Sequence, residues 1–256
     1  MRFEPRILGR TGLPVGPLGV AASYGVPAAA VERAFHYGVN YLYWGSMRRS
    51  AFAEAIRNLS SQRDRMVLVL QSYSRLASLL SGSVERALRS LRLEYADVLL
   101  LGMWNRRIPE RILDGARALR QRKLVRFLAV SSHDRRLAAE LAGDTDIDVV
   151  HFRYNAAHPG AELDIFPTLP AGRAGMVAFT ATSWGQLLNR AKVPQGERAP
   201  MASDCYRFAL TRPEVDVCLS GPANAAQMDE ALKALERGPM SDDELAWMRR
   251  VGAGRR

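Results

Sequence analysis

Lysine is scarce in this sequence of 256 residues, and so are histidine and cysteine. Lysine and arginine together number 36, but only three of them are lysines, which leaves 33 arginines. The two cysteines exclude a disulfide-rich scaffold. The four histidines and two cysteines also lack the close spacing of zinc ligands, so we expect no metal site.

The sequence also has no run of eighteen apolar residues, which predicts no membrane-spanning helix. Its first residues lack the apolar stretch of a signal peptide, so a cytoplasmic protein is expected. The net charge of +10 raises the question of nucleic acid, but the arginines are spread along the chain and no nucleic-acid-binding motif accompanies them. We expect a small-molecule partner and neither nucleic acid nor membrane, while nothing in the sequence indicates the oligomeric state.

What the chain does have is a regular alternation of apolar runs with amphipathic runs. Short runs rich in Val, Leu, Ile and Phe predict buried strands, and apolar residues at three- and four-residue spacing predict helices. The predicted strands are Leu18–Ala21, Val39–Tyr43, Met66–Gln71, Val98–Leu101, Arg126–Val130, Val149–Phe152, Met176–Thr180 and Val215–Leu219. The predicted helices are Pro27–Tyr37, Arg48–Asn58, Ser83–Arg92, Pro109–Arg120, Asp134–Ala142, Ala161–Thr168, Ala202–Leu210 and Asn224–Leu235.

Eight strand–helix units in about 250 residues predict an α/β fold, the (β/α)8 TIM barrel, as a single domain over residues 1–256. A β-hairpin near Arg6–Leu13 is expected to plug the bottom of the barrel. An extra C-terminal helix is expected to start at Ser241, because serine is a favoured N-cap residue and acidic residues follow it. Barrel enzymes place their active sites at the carboxyl ends of the strands, where this chain has aromatic and hydrogen-bonding residues. We predict a ligand pocket there.

Five segments resemble the aldo-keto reductases, in the order that this family has them. They are the opening hairpin Leu8–Val15, the second strand Gly38–Leu42, the fourth strand Tyr95–Leu101, the fifth strand Lys123–Ser132 and the cofactor-phosphate loop with its helix, Gly221–Glu230. The resemblance implies a barrel that reduces carbonyl groups with a nicotinamide cofactor.

The same resemblance implies which residues bind the cofactor. It assigns Ser131, Ser132 and His151 to the carboxamide, Phe179 to the nicotinamide ring, Gly221, Asn224 and Gln227 to the phosphates, and Glu230 to the adenine. Thr180, next to Phe179, is expected to bind the cofactor as well. Ala223 stands where a basic residue often approaches the 2′-phosphate, so NADP(H) is expected and NAD(H) stays open.

The chain departs from the family at its four catalytic positions. The family uses Asp and Tyr after the second strand, Lys after the third and His after the fourth. Here these positions are Tyr43, Arg48, Gln71 and Gly102. A nearby cation lowers the pKa of a phenol, so we expect Tyr43 with Arg48 to act on the substrate and Gln71 to orient its oxygen. The alternative is that Tyr43 and Trp44 only fill space vacated by the usual residues.

Further residues at the barrel mouth are expected to bind the substrate. They are Trp44, Tyr73, Trp104, Arg153 and Trp184. His133 follows the fifth strand and is either an acid or base near neutral pH or, as we prefer, an exposed residue in the first turn of a helix.

Three functions stay open on the sequence. The first is an atypical oxidoreductase that binds NAD(P)H and reduces a carbonyl. The second is a catalytically inactive, nucleotide-binding barrel with a regulatory role. The third is a non-redox lyase or isomerase acting on an anionic substrate through arginine and histidine, because barrels host many chemistries.

Overall fold

The structure is a computed structural model that describes residues 2–45 and 47–254. A short antiparallel hairpin of β1 (Arg6–Ile7) and β2 (Pro14–Val15) precedes a closed barrel of eight parallel strands. The barrel strands are β3 (Leu18–Ala21), β4 (Tyr41–Trp44), β5 (Val67–Gln71), β6 (Ala96–Met103), β7 (Val125–Ser132), β8 (Val149–Arg153), β9 (Gly175–Phe179) and β10 (Val217–Ser220). Neighbouring strands follow one another in the chain, and β10 closes the barrel against β3. The predicted (β/α)8 barrel is confirmed.

Helices follow the strands and cover the outside of the barrel. They are α1 (Ala28–His36), α2 (Ser50–Asn58), α3 (Ala77–Leu91), α4 (Glu110–Gln121), α5 (Arg135–Gly143), α6 (Ala161–Asp164), α7 (Ala202–Leu210), α8 (Ala225–Arg237) and α9 (Asp242–Ala253). The extra helix α9 starts with a capping box, in which Ser241 and Glu244 each bind the other's backbone N–H. Among the described residues, every helix is too short or too polar to span a bilayer.

Apolar side chains pack in two layers, one inside the barrel and one between the barrel and its helices. Val69 and Leu100 belong to the inner layer, whereas their strand neighbours Leu68 and Leu99 belong to the outer layer. Successive side chains on a strand point to opposite faces, so each strand contributes to both layers. This double burial explains why the strands are continuous apolar runs in the sequence.

The N-terminal hairpin closes the bottom of the barrel, as the sequence predicts. Leu8, Leu13 and Val15 are buried together with the inward-facing residues of the strands. Gly9 has a left-handed backbone (φ +44°), and a side chain there would overlap the backbone of Gly175 at the start of β9. The hairpin therefore packs against the barrel wall at backbone distance.

Three barrel strands have the dipeptide Asp-Val at or next to their first residue, and the aspartate makes the same contact in each. Asp97, Asp148 and Asp216 each accept a hydrogen bond from a backbone N–H of the preceding strand, on Leu68, Leu128 and Met176 respectively. The arginine partners of these carboxylates are Arg63 and Arg126 for Asp97, Arg120 for Asp148, and Arg173 for Asp216. Part of the arginine excess thus holds strand starts in place.

Two helices differ from their predicted bounds by more than two residues. Helix α3 begins six residues before the predicted Ser83, because Leu80 extends its buried face toward the N-terminus. The predicted helix Ala161–Thr168 is divided into α6 and a 3-10 turn, Phe166–Thr168. Pro167 lacks the N–H that would continue the α-helical ladder, which explains the break.

Candidate active site

A cavity of about 920 Å³ opens at the carboxyl ends of the barrel strands, where the sequence predicts a pocket. Its volume is within the range of small-molecule and cofactor sites. The cavity brings together many of the residues predicted from the sequence, namely Tyr43, Gln71, Tyr73, Ser131, His151, Phe179, Thr180, Trp184, Gly221, Gln227 and Glu230.

Three neutral polar side chains converge above Gly45, at the ends of β3, β4 and β5. A Cβ built on Gly45 would lie 2.5 Å from Ser23 Oγ, 3.1 Å from Tyr43 Cε1 and 3.7 Å from Gln71 Oε1. Within residues 2–45 and 47–254, none of these three side chains has a protein hydrogen-bond partner. Their hydroxyl and amide groups are therefore available to a ligand, and only glycine leaves room for the convergence.

The expected pairing of Tyr43 with Arg48 is not what the structure shows. Arg48 is exposed, has a left-handed backbone (φ +44°) and does not line the cavity. Burial raises the pKa of the Tyr43 phenol, and the neighbouring phenols of Tyr73 and Tyr24 raise it further. The expectation of a cation-lowered pKa is therefore wrong, because burial dominates and no guanidinium offsets it.

The ring of Tyr73 takes up the space beside Gly102, the position at which the resemblance places a histidine. Gly102 has φ +77°, and a Cβ built on it would lie 2.8 Å from Tyr73 Cδ1. The ring packs so closely that no larger residue fits at position 102 without moving it. An aromatic wall thus replaces an imidazole on this side of the cavity.

His151 is buried in the barrel, where its Nε2 lies 2.8 Å from the hydroxyl of Tyr41. Burial lowers the pKa of His151 to about 3, so its imidazole is neutral at physiological pH. The ring of Tyr43 lies on the cavity side, with its centroid 6.1 Å from that of His151. A neutral imidazole here can orient a ligand by hydrogen bonding, but it cannot supply a positive charge.

His133 lines the cavity, which corrects our preference for an exposed residue in the first turn of a helix. Helix α5 starts only at Arg135, because Asp134 is the cap and accepts the Leu137 N–H at 3.0 Å. The His133 ring meets the edge of Phe179 at 5.4 Å between centroids. Its Nδ1 is buried and has no partner in the described part of the chain.

The electrostatic surroundings of His133 favour the uncharged ring. Burial lowers the pKa of His133, and the positive charge of Arg153 lowers it further. Both effects make imidazolium unfavourable. His133 is therefore suited to accept or donate a single hydrogen bond beside Phe179.

The first turn of α8 forms another part of the lining. Asn224 caps this helix by accepting the backbone N–H of Gln227 at 2.9 Å, while Gln227 Oε1 accepts the N–H of Ala223 at 2.8 Å. Glu230, one turn further on, accepts the hydroxyl of Ser203 at 2.6 Å. The N–H groups at the start of a helix attract anions, so this turn is suited to a phosphate group.

The segment after β9 has an unusual backbone. Thr180, Ser183 and Trp184 all have left-handed φ angles, between 50° and 58°. Asn155 holds this segment through a hydrogen bond of 2.8 Å from its Nδ2 to the carbonyl of Thr180. Non-glycine residues with such angles concentrate at ligand sites, where surrounding contacts hold them.

Several residues predicted for the site do not line the cavity. They are Arg48, Trp44, Trp104, Ser132, Arg153 and Asn224. Both tryptophans are buried in the layer between barrel and helices. Tyr43 faces the barrel interior, so Trp44, the next residue on the strand, faces outward. Ser132 is engaged in a turn, where its hydroxyl binds the carbonyl of Asp134 at 3.1 Å.

The sequence reasoning missed a large part of the lining, including Ser23, Tyr24, Met103, Arg190 and Tyr206. Ser23 and Tyr24 directly follow β3, so the rule used for the other strands identifies them when it is applied to the first strand. Arg190 lies in a long connection between β9 and α7, for which strand–helix patterning gives no signal.

No protein-family model matches the chain, and a search of the curated proteins finds no match. Solved structures do match. An aldo-keto reductase from Bacillus halodurans in its holo form has a TM-score of 0.80 at 17% identity, with 97% of this chain and 96% of that chain covered. An aldo/keto reductase from Klebsiella pneumoniae in complex with NADP and acetate has a TM-score of 0.80 at 19% identity, with 98% and 96% covered.

The chain therefore has the TIM-barrel fold of the aldo-keto reductases, and the match extends over nearly the whole length of the solved structures. The resemblance noted in the sequence is confirmed at the level of the fold.

The lining fits a nicotinamide dinucleotide at several points. Phe179 presents a ring to the cavity, and the buried Nδ1 of His133 beside it lacks a partner in the described chain. Arg190 lines the cavity and makes no ion pair with a described residue. Together with the first turn of α8, these groups match the flat ring and the phosphates of such a cofactor.

Proposed function

We propose that this protein is an oxidoreductase that binds NADPH or NADH across the barrel mouth and reduces a carbonyl group of a small molecule. The observation that carries the proposal is the continuity of the cavity. One space is lined both by the cluster of Ser23, Tyr43 and Gln71 and by Gln227 and Glu230 of α8. A cofactor and a small substrate fit side by side in such a space.

The cofactor would be held by residues from four strand ends. Phe179 would contact the nicotinamide ring, and Ser131, His133 and His151 would hydrogen-bond its carboxamide. Thr180, Gly221, Gln227 and Arg190 would hold the phosphates, and Glu230 would approach the adenosine. Ser132 and Asn224 would act indirectly, because they fix the turns that present these groups.

The chemistry that the bound cofactor supplies is a hydride from the reduced nicotinamide. Tyr43, Gln71 and Ser23 would orient the oxygen of the substrate by hydrogen bonding. Tyr43 keeps its proton because its pKa is raised by burial, so it donates a hydrogen bond in the ground state. Phe179 and Trp184 would shield the reacting atoms from water.

The proposal is tested by titrating the protein with NADPH and with NADH while its intrinsic fluorescence is followed. We expect saturable binding, and Arg190→Ala should weaken it by about tenfold, because one charge-assisted phosphate contact is lost. Arg86→Ala, on the exposed side of α3, is the matched control and should leave the affinity unchanged. Absence of binding for both cofactors overturns the proposal.

A second candidate function is cofactor binding without catalysis. It is favoured by one observation. Among the described residues that line the cavity at the ends of strands β3 to β6, where Tyr43 lies, none carries a positive charge. Tight binding of NADPH without turnover of aldehydes or quinones would select it. The third candidate, a lyase for anionic substrates, loses support because Arg48 and Arg153 lie outside the lining.

A further inference from the structure

The open side of the cavity is bordered by large apolar side chains that remain exposed to solvent. Tyr24, Tyr73, Trp184 and Met201 line the cavity and have 45%, 52%, 60% and 51% of their surface exposed, respectively. Exposed apolar patches of this kind mark binding sites. The ligand that enters here thus meets aromatic and thioether surfaces first.

The walls on this side of the cavity are aromatic rings that pack against the backbone. Tyr24 and Tyr73 line the same cavity as Tyr43, and their phenols add to the rise in the pKa of Tyr43 that burial causes. The ring of Tyr24 packs against Gly221, and that of Tyr73 packs against Gly102, in both cases in the space of a missing Cβ. Rings fixed against a backbone offer flat surfaces, and flat surfaces favour planar ligands.

The polar groups on this side are all neutral. In the described lining, the groups with permanent charge are Arg190, on the connection after β9, and Glu230, on α8. Ser23, Tyr43 and Gln71, which converge above Gly45, carry no charge at neutral pH. An ionised ligand would lose its hydration here without a counter-charge, which is unfavourable.

The acid strength of the site also bears on the ligand. Reduction of an isolated carbonyl gives an alkoxide, whose parent alcohol is about as weak an acid as water. Reduction of a quinone gives a phenolate, whose parent phenol has a pKa near 10. Tyr43 has no lysine beside it to make it a stronger acid. The site therefore suits a reduction whose anionic product is stable before it is protonated, such as a phenolate.

We propose that the space between Tyr24, Tyr43 and Tyr73 binds a neutral, planar quinone, with one carbonyl oxygen at the cluster of Ser23, Tyr43 and Gln71. This proposal rests on the proposed reductase function. The quinone would gain a hydride, that is one proton and two electrons, from the reduced nicotinamide, which is oxidised, and a second proton from water. One hydroquinone forms for each quinone consumed.

Three probes of the same ring size test the ligand class. They are 2-methyl-1,4-naphthoquinone, 2-naphthaldehyde and 2-naphthoate, each titrated calorimetrically into the NADP-saturated protein. We expect the quinone to bind at least about tenfold more tightly than the naphthoate, whose charge finds no partner. We also expect Tyr73→Ala to weaken quinone binding by about tenfold and Tyr37→Ala, on the outer surface, to leave it unchanged.

Turnover gives the second readout. With NADPH and in the absence of oxygen, kcat/KM for the naphthoquinone should exceed that for the naphthaldehyde by at least about a hundredfold, after subtraction of the uncatalysed reaction. Equal binding of quinone and naphthoate, or faster reduction of the aldehyde, overturns the quinone proposal. So does a Tyr73→Ala variant that binds the quinone normally.

The two proposals fail in distinguishable ways. Binding of NADPH without binding of the quinone overturns the ligand class and leaves the cofactor site intact. If the cofactor-free protein binds the quinone but does not bind NADPH, the reductase function is overturned. Saturable binding of both, followed by hydroquinone formation, supports both.

Discussion

The hydroxyl of Tyr41 and the Nε2 atom of His151 lie 2.8 Å apart inside the barrel. Both side chains are almost completely buried, so the contact is a hydrogen bond isolated from solvent. It fixes the orientation of the His151 ring beneath the cavity. Two residues from opposite walls, on β4 and β8, are joined in this way.

Removal of the Tyr41 hydroxyl should destabilise the protein. Tyr41→Phe leaves the buried Nε2 of His151 without its partner, and we expect the free energy of unfolding to fall by about 1–3 kcal/mol. Tyr37→Phe is the matched control, because its hydroxyl binds Glu236 at the surface. Urea unfolding of the three proteins measures the difference, and equal losses for both variants would contradict this assignment.

The neutrality of His151 predicts a pH dependence of stability. Burial lowers the pKa of His151 from the ordinary 6.5 to about 3 in the folded state. Between these values the unfolded chain binds a proton that the folded chain does not, so stability falls as pH decreases below 6.5. The contribution is fully present above pH 6.5.

His151→Gln tests this directly by urea unfolding at several pH values between 7 and 5. The stability difference between wild type and variant should change with pH in this window, with a slope of up to about 1.4 kcal/mol per pH unit. His36→Gln, on the exposed surface of α1, is the matched control substitution. Parallel profiles for wild type and His151→Gln would contradict the lowered pKa, because they would mean that His151 binds its proton equally in the folded and unfolded states.

The space above Gly45 should tolerate no side chain. In Gly45→Ala the new methyl group would press on Ser23 Oγ and the Tyr43 ring, and we expect a loss of about 1–3 kcal/mol with reduced turnover. Gly82 lies in helix α3 with open space around its Cα, so Gly82→Ala should stabilise the protein by about 0.5–1 kcal/mol. Thermal unfolding distinguishes the two, and a stable, fully active Gly45→Ala protein would contradict the convergence.

Tyr43→Phe tests the role of the phenol without a change in shape. If Tyr43 hydrogen-bonds the substrate oxygen, kcat should fall by at least about tenfold while the affinity for NADPH stays unchanged. Steady-state kinetics and the fluorescence titration provide the two values. Unchanged turnover would show that Tyr43 only fills space, which is the alternative left open by the sequence.

The aspartates at the strand starts should contribute strongly to stability. Asp216→Ala removes the partner of both Arg173 and the Met176 N–H, and we expect a loss of about 3 kcal/mol or more. Asp229→Ala breaks an exposed ion pair with Arg33, and its effect should be below about 1 kcal/mol. Similar unfolding midpoints in urea for these two variants would contradict the ranking.

The barrel was predictable because its signal is repeated along the chain. A strand buried on both faces is an apolar run, such as Val67–Gln71, whatever its neighbours are. The hairpin and α9 were also predictable, since turn and cap residues act locally, as Ser241 does. These features depend on interactions between residues close in sequence.

The site was predictable only in part, because it depends on which way each side chain points. Tyr43 and Trp44 are adjacent at a strand end, and only the position of the barrel interior decides which of them lines the cavity. Arg48 is close to Tyr43 in sequence, which suggested a pair. In the structure Arg48 has a left-handed backbone and an exposed side chain, whereas Tyr43 lines the cavity. The closeness of Tyr73 to Gly102 is a contact between the loop after β5 and strand β6, with no local signature in the sequence.

The packing of Tyr73 on Gly102 has a consequence for redesign of the cavity. A histidine placed at position 102 would press on that ring and adopt a backbone angle that suits glycine. Either the ring of Tyr73 would have to move or position 73 would need a smaller residue, and each of these changes removes part of the aromatic wall. A single substitution at position 102 is therefore not enough to introduce an imidazole on this side of the barrel.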